Sequence, residues 1–306
     1  MKTIHIADIK NIEKIEDLTL CLGFFDAIHL GHLSLINKAK EVKGNVGVLS
    51  FSKNPQTLLS NTKHSIINTL EMKEEILSSL GVDYLIILEL SWDILNLEYE
   101  DFISKILVKQ GAKNIICGFD YSFGHFGKGK PKDLISCGFF NVYVIDEVVN
   151  ARKEKISSSL IHKLIKEGNI EEANCYLSRN YEIRGKVEHG FGVGRTISFK
   201  TANILPCDNF ELPGNGVYAT RIIINNKSYL SMTNIGVHPT INKLENPSIE
   251  TYIFDFNEDI YCDSIRLIFY KKTREEFKFS SLVELKEQLI KDETAIRIYF
   301  DSLEKR

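Results

Sequence analysis

Over its first 150 residues the chain repeats one pattern, a short apolar run of strand type followed by a stretch with helical spacing. The runs are residues 18–22 (LTLCL), 46–51 (VGVLSF), 84–88 (YLIIL), 114–117 (NIIC) and 142–145 (VYVI). Helical patterns such as TLEMKEEILSSLG lie between them, this one closing on Gly81 as helix C-termini favour. Such alternation calls for an α/β domain on a parallel, Rossmann-like sheet, with ligands beyond the carboxyl ends of its strands. Residues 156–180 stay helical and read as a connector. From Tyr181 the period changes to the two-residue alternation of strands: YEIRGKVEH, then GVYATRIIINNKSYLSMTNIGV with Asn225-Asn226 at its turn, then IETYIFDF and SIRLIFYKK. That is a small antiparallel β-barrel, closed by a helix from Ser281 that Ser281 and Glu284 would cap as a box. The expected domains are 1–180 and 181–306.

The segment GFFDAIHLGH, Gly23 to His32, follows the first of these runs directly, and apolar residues at helical spacing follow it. It is therefore a strand-to-helix turn. A helix N-terminus attracts anions through its unpaired N–H groups and the positive end of its dipole. Two histidines three residues apart at that point could add donors to phosphate oxygens. The formal charge of -3 and the pI near 6.3 give no basic footprint for nucleic acid. Six scattered cysteines with no CxxC pair argue against a zinc site and a disulfide framework, and fit reduced thiols. The N-terminal residues are broken by charges every few positions, unlike a signal peptide, and no run reaches membrane length. A soluble cytoplasmic protein is expected, with no nucleic-acid or membrane partner, as a monomer or weak homo-oligomer.

Taken in order, GFFDAIHLGH, CGFDYSFGHFGKG (117–129), ISSSLIH (156–162), HGFGVGRTISFKTAN (189–203), LPGNGVYA, TNIGVHPT, IETY around Glu250 and REEFKF closely resemble one family. It is that of the bacterial bifunctional riboflavin kinase and FMN adenylyltransferase, also called FAD synthetase, over almost the whole length. The resemblance implies a nucleotidyltransferase-type N-terminal domain that joins FMN to AMP from ATP and releases pyrophosphate. It implies a C-terminal barrel that phosphorylates riboflavin to FMN with ATP and Mg²⁺.

In the first domain the resemblance assigns His29 and His32 to the triphosphate, within a segment whose Gly23, Phe25 and Asp26 also bind nucleotide. The 118–129 loop, with Asp120, Gly124 and Lys128, would wrap flavin or nucleotide, and Ser157, Ser158 and Ser159 match a serine-rich phosphate contact. In the barrel, Thr201 and Asn203 match the residues that hold Mg-ATP, and Glu250 matches the base that takes the ribityl hydroxyl proton. Gly190, Gly194 and Arg195 of HGFGVGR would let backbone approach phosphates, and Arg274 resembles a position near the substrates.

The chain also departs from the family pattern. Ala27 replaces a usual glycine, which in a left-handed conformation would cost about 1–2 kcal/mol. Asn54 replaces a histidine, and Ser122 and His162 replace arginines, thinning the positive charge expected around a triphosphate. Ser198, Lys200 and His238 depart in the barrel. Two other readings remain open: a paralogue with one activity, or a flavin-binding regulatory protein without turnover. A class I aminoacyl-tRNA synthetase, which uses a similar histidine segment, lacks support here for want of an anticodon-binding region.

Overall fold

The computed structural model describes residues 1–60, 64–188, 199–236 and 247–305. The chain divides into two compact units, Met1–Ser158 and Ser159–Arg306. In the first, the elements run β1 (Lys2–Ile6), β2 (Leu18–Leu22), α1 (Leu30–Glu41), β3 (Asn45–Phe51), α2 (Pro55–Ser60), α3 (Leu70–Ser79), β4 (Tyr84–Leu88), α4 (Trp92–Leu95), α5 (Tyr99–Phe102), β5 (Ala112–Gly118), α6 (Pro131–Ser136) and β6 (Asn141–Ile145). The six strands form one parallel sheet in the order β1-β4-β3-β2-β5-β6. The order reverses between β2 and β5, and that reversal is where a crevice opens in such sheets.

β2 is buried at every position because the sheet is covered on both faces. Leu18, Leu20 and Leu22 pack on one side with Leu88, Phe102 and Ile115. Cys21 points to the other side, where Val48, Leu85 and Ile116 meet Leu35, Ile36 and Ala39 of α1. Strand β1, which the charge-broken N-terminus did not announce, pairs with β4 at the sheet edge, where alternating polar residues are tolerated.

The second unit carries α7 (Ser158–Lys166), α8 (Ile170–Leu177), β7 (Tyr181–Glu188), β8 (Thr201–Pro206), β9 (Gly216–Ile224), β10 (Lys227–Gly236), β11 (Ser248–Ile253), β12 (Ser264–Arg274) and α9 (Leu282–Glu304). The strands close a six-stranded barrel in the order β10-β11-β8-β7-β12-β9. The β9–β10 hairpin turns at Asn225 and Asn226, both at positive φ (48° and 63°), which asparagine tolerates. Inside the barrel Thr220, Ser231, Thr233 and Thr251 are fully buried and joined by hydroxyl hydrogen bonds of 2.8–3.0 Å. On the outer face Val217, Ala219 and Met232 pack against Ile296 and Phe300 of α9.

The helical stretch expected as a connector groups with the barrel, so the division falls at 158/159 rather than near 180. Asn174 of α8 explains this: its amide donates to the Phe269 carbonyl (2.9 Å) and its oxygen accepts from Tyr181 N (2.7 Å). At α9, Ser281 accepts from Glu284 N (3.2 Å), as a cap should, but the Glu284 carboxylate turns to Ser280 N and Oγ instead of closing a box on Ser281. Those two donors lower the Glu284 pKa.

Candidate active sites

A cavity of about 200 Å³ opens at the reversal point of the sheet. The turn after β2 supplies Gly23, His29 and His32; the segment after β5 supplies Gly118 to Tyr121; and Lys155 to Ser157 form a third side. His29 is the N-cap of α1. Its Nδ1 accepts from Gly31 N (3.1 Å), and His32 Nδ1 accepts from His29 N (3.4 Å). With both Nδ1 atoms accepting, each neutral ring carries its proton on Nε2, so the caps fix the tautomer as well as the orientation. The rings stack on each other at 4.0 Å, and Phe25 stacks beneath His32 at 4.5 Å. A Cβ at position 31 would lie 2.9 Å from the His29 ring and push it out of this position.

Asp120 and Lys155 form an ion pair at this cavity, with the ammonium 4.9 Å from the Phe119 ring centroid. Lys155 was not singled out from the sequence, although it stands two residues before the serine run. It brings a cation to the histidine cavity.

A second cleft, of about 360 Å³, lies on the other side of Tyr121 and is lined by aromatic rings from Phe51, Trp92, Phe102, Tyr121, Phe123 and Phe126. Two of these rings are largely in solvent, Trp92 at 55% and Phe126 at 81% exposure. Tyr121 and Phe123 stack at 5.7 Å, and burial raises the Tyr121 phenol pKa well above its ordinary value. Gly124 has φ 73°, and a Cβ there would meet the Tyr99 backbone at 2.7 Å, so this loop can lie against α5 only with glycine. The 118–129 loop thus serves two cavities, residues 118–121 facing one and 121–127 the other.

On the barrel, register brings three of the expected residues together. Asn203 of β8 sits opposite Glu250 of β11, and Glu250 opposite Asn234 of β10. Directly opposed residues have Cβ atoms about 5 Å apart and share a face, and Thr201, two residues before Asn203, shares it too. Glu188 of β7 extends the row next to Asn203. Asn234 Nδ2 donates to Glu276 Oε1 (3.3 Å).

Other expected residues sit elsewhere. Phe25 is fully buried and Asp26 is 6% exposed, so both support the turn rather than line the cavity. Asp26 Oδ1 accepts from Ile67 N at 3.3 Å. Ala27 does not take a left-handed conformation; the positive φ values fall on Phe25 (54°) and Ile28 (47°) on either side of it. Lys128 lies outside both linings and pairs with Glu98 at 3.7 Å. Ser157 lines the histidine cavity, Ser158 opens α7, and Ser159 belongs to the second unit. Asn54 and Ser122 line the aromatic cleft. His162 meets Glu211 at 3.0 Å within the second unit. Lys200 Nζ donates to Asn257 Oδ1 (2.9 Å). Arg274 gives Nε and Nη2 to Asp292 Oδ2 of α9 (2.9 and 2.8 Å) and covers the Phe277 ring at 4.5 Å, which makes it a brace for the helix. Gly190, Gly194, Arg195, Ser198 and His238 lie outside the described residues.

Among the described residues no group of three or more His, Cys, Asp or Glu could hold a metal ion, and no helix is long and apolar enough to cross a membrane.

Two family models match the chain, FAD synthetase over residues 11–160 and riboflavin kinase over residues 177–300. Proteins named bifunctional riboflavin kinase/FMN adenylyltransferase are similar along the full length. The one from Listeria monocytogenes is 37% identical over 99% of this chain and 100% of its own; the one from Bacillus subtilis is 35% identical over 100% of both. A crystal structure from Streptococcus pneumoniae, named a macrolide-efflux protein, superposes with a TM-score of 0.90 at 32% identity, covering 96% of this chain and 98% of that one.

Proposed function

Because the chain belongs to the family of bifunctional riboflavin kinase/FMN adenylyltransferases, we propose that it makes FMN from riboflavin in its barrel and FAD from FMN in its α/β unit, with ATP as co-substrate of both steps. The observation that carries the reading is the pair of cavities on either side of Tyr121, one with phosphate-binding chemistry and the other walled by aromatic rings.

In adenylyl transfer the isoalloxazine ring stacks among Trp92, Tyr121, Phe123 and Phe126, and the FMN phosphate meets the α-phosphate of ATP beside His29. A phosphate oxygen attacks the α-phosphorus, the bond to the β-phosphate oxygen breaks, and pyrophosphate leaves with the negative charge. The Nε2–H groups of His29 and His32, the N-terminal amides of α1 and the Lys155 ammonium take up that charge. Asp120 holds Lys155 in place until the phosphates draw it in.

In the kinase step Glu250 removes the proton from the terminal ribityl hydroxyl as that oxygen attacks the γ-phosphorus and ADP leaves. Thr201 and Asn203 are neutral oxygen donors on one strand face, a set that suits Mg²⁺ arriving with ATP phosphates, as distinct from a resident metal cage. The cation would neutralise phosphate charge there. Asn203, beside Glu250, brings base and phosphates to one row of the barrel. The same reading takes the protein as cytoplasmic and as a monomer or weak homo-oligomer.

The two sites should be separable. Glu250→Gln should abolish riboflavin phosphorylation and leave adenylylation of supplied FMN within twofold of the unsubstituted protein, and His29→Ala combined with His32→Ala should do the reverse. Equal loss of both activities in either variant would refute two independent sites.

A further inference from the structure

The turn that carries the two histidines is held from below by a cation that the reaction scheme does not use. Lys73 lies in the first turn of α3, 5% exposed, and its ammonium donates to the Phe24 carbonyl (3.0 Å) and to Ser50 Oγ (3.1 Å). Ser50 in turn donates to the same carbonyl at 2.6 Å, and the ammonium faces the Phe24 ring at 4.8 Å. The residues just before α3 add to the clamp: Ile67 N donates to Asp26 Oδ1, and Asn68 Nδ2 donates to the Asp26 carbonyl. Segment 67–73 thus grips residues 24 and 26 by backbone and side chain.

That grip coincides with strain. Phe25 and Ile28 both sit at positive φ, and Ile28 is β-branched, so the backbone conformation between β2 and His29 persists only if its surroundings impose it. Phe25 is also the ring on which His32 stacks. We propose that Lys73 is a positioning residue for adenylyl transfer, its ammonium locking the 24–28 turn in the conformation that aims His29 and His32 into the nucleotide cavity. This inference rests on the adenylyltransferase reading of the first unit.

Burial holds the Lys73 pKa down at about 8, while the Asp26 carboxylate works in the opposite direction. A neutral amine still carries two N–H groups, enough for the Phe24 carbonyl and Ser50 Oγ. A pKa held down by burial means that the packed turn favours the neutral form, so deprotonation leaves the clamp in place, and the clamp rests on its hydrogen bonds.

The test measures FMN adenylylation at pH 7 in the full-length protein, in Lys73→Met and in Ser50→Ala, which removes one acceptor of the ammonium, with riboflavin phosphorylation measured on the same preparations. Lys73→Met should be at least tenfold slower in kcat with KM for FMN within twofold, Ser50→Ala should be at least threefold slower in the same sense, and phosphorylation should be the same in all three. A kcat for Lys73→Met within twofold of the unsubstituted protein overturns the proposal, as does a loss that appears in KM alone or falls equally on phosphorylation. An unaltered kcat in Ser50→Ala overturns it however Lys73→Met folds. No FAD from the unsubstituted protein overturns the adenylyltransferase reading, and this inference with it.

Discussion

His29 has two separable tasks in this structure, and substituting it two ways measures each. As N-cap of α1 it satisfies Gly31 N through Nδ1, and it presents Nε2 to the cavity. His29→Ala removes both functions. Losing the cap costs about 1 kcal/mol of stability, and losing one donor to developing phosphate charge costs roughly 10²–10³ in kcat. His29→Asn keeps an oxygen where Nδ1 stood, and asparagine is among the best N-caps. It should therefore unfold within a degree or two of the unsubstituted protein, yet adenylylate FMN about as slowly as the alanine variant. Thermal unfolding and single-turnover FAD formation with saturating FMN and ATP provide the two readouts. If His29→Asn retained full kcat, the imidazole would be a cap and nothing more, and charge stabilisation by Nε2 would be refuted.

Other consequences follow from the same geometry. Phe126→Ala removes a ring that is 81% exposed and packs little in the free protein; it should raise KM for FMN roughly fivefold, for about 1 kcal/mol of stacking, with unfolding unchanged, and an unaltered KM would remove that ring from the flavin site. Asp292→Ala strips the buried partner from Arg274 and should cost about 3 kcal/mol, visible as a lower denaturant midpoint together with lost kinase activity. Lys73 also makes a stability prediction: its lowered pKa means that the unfolded chain binds the extra proton between pH 8 and 10.5, so this group's contribution to stability rises with pH across that window. Lys73→Met should flatten that part of the stability profile.

The architecture was legible because its signals are local. Strands β2 and β4 begin and end where their apolar runs do, and the change of period at Tyr181 marks the first barrel strand. β1 was not legible, since an edge strand needs no continuous apolar run. The histidine turn was found by its order of residues. Ala27 would be costly there only in a left-handed conformation; the positive φ values fall instead on Phe25 and Ile28, because backbone dihedrals answer to the clamp from residues 67–73 and not to one residue type. Lys73 was invisible for the same reason: in TLEMKEEIL it reads as one charge on a solvated face, and its burial depends on where α3 docks. The aromatic cleft gathers Phe51, Trp92, Phe102 and Phe126 from four separate segments, and no spacing along the chain relates them. Asn203 and Glu250 were each named from the sequence, but only the pairing of β8 with β11 makes them neighbours.

The most direct test is to supply purified protein with riboflavin, ATP and Mg²⁺ and to resolve the flavins over time by chromatography while measuring pyrophosphate. FMN should accumulate first and then give way to FAD, with one pyrophosphate released per FAD. FMN that never proceeds to FAD, or FAD formed only when FMN is supplied, would contradict two working sites in one chain.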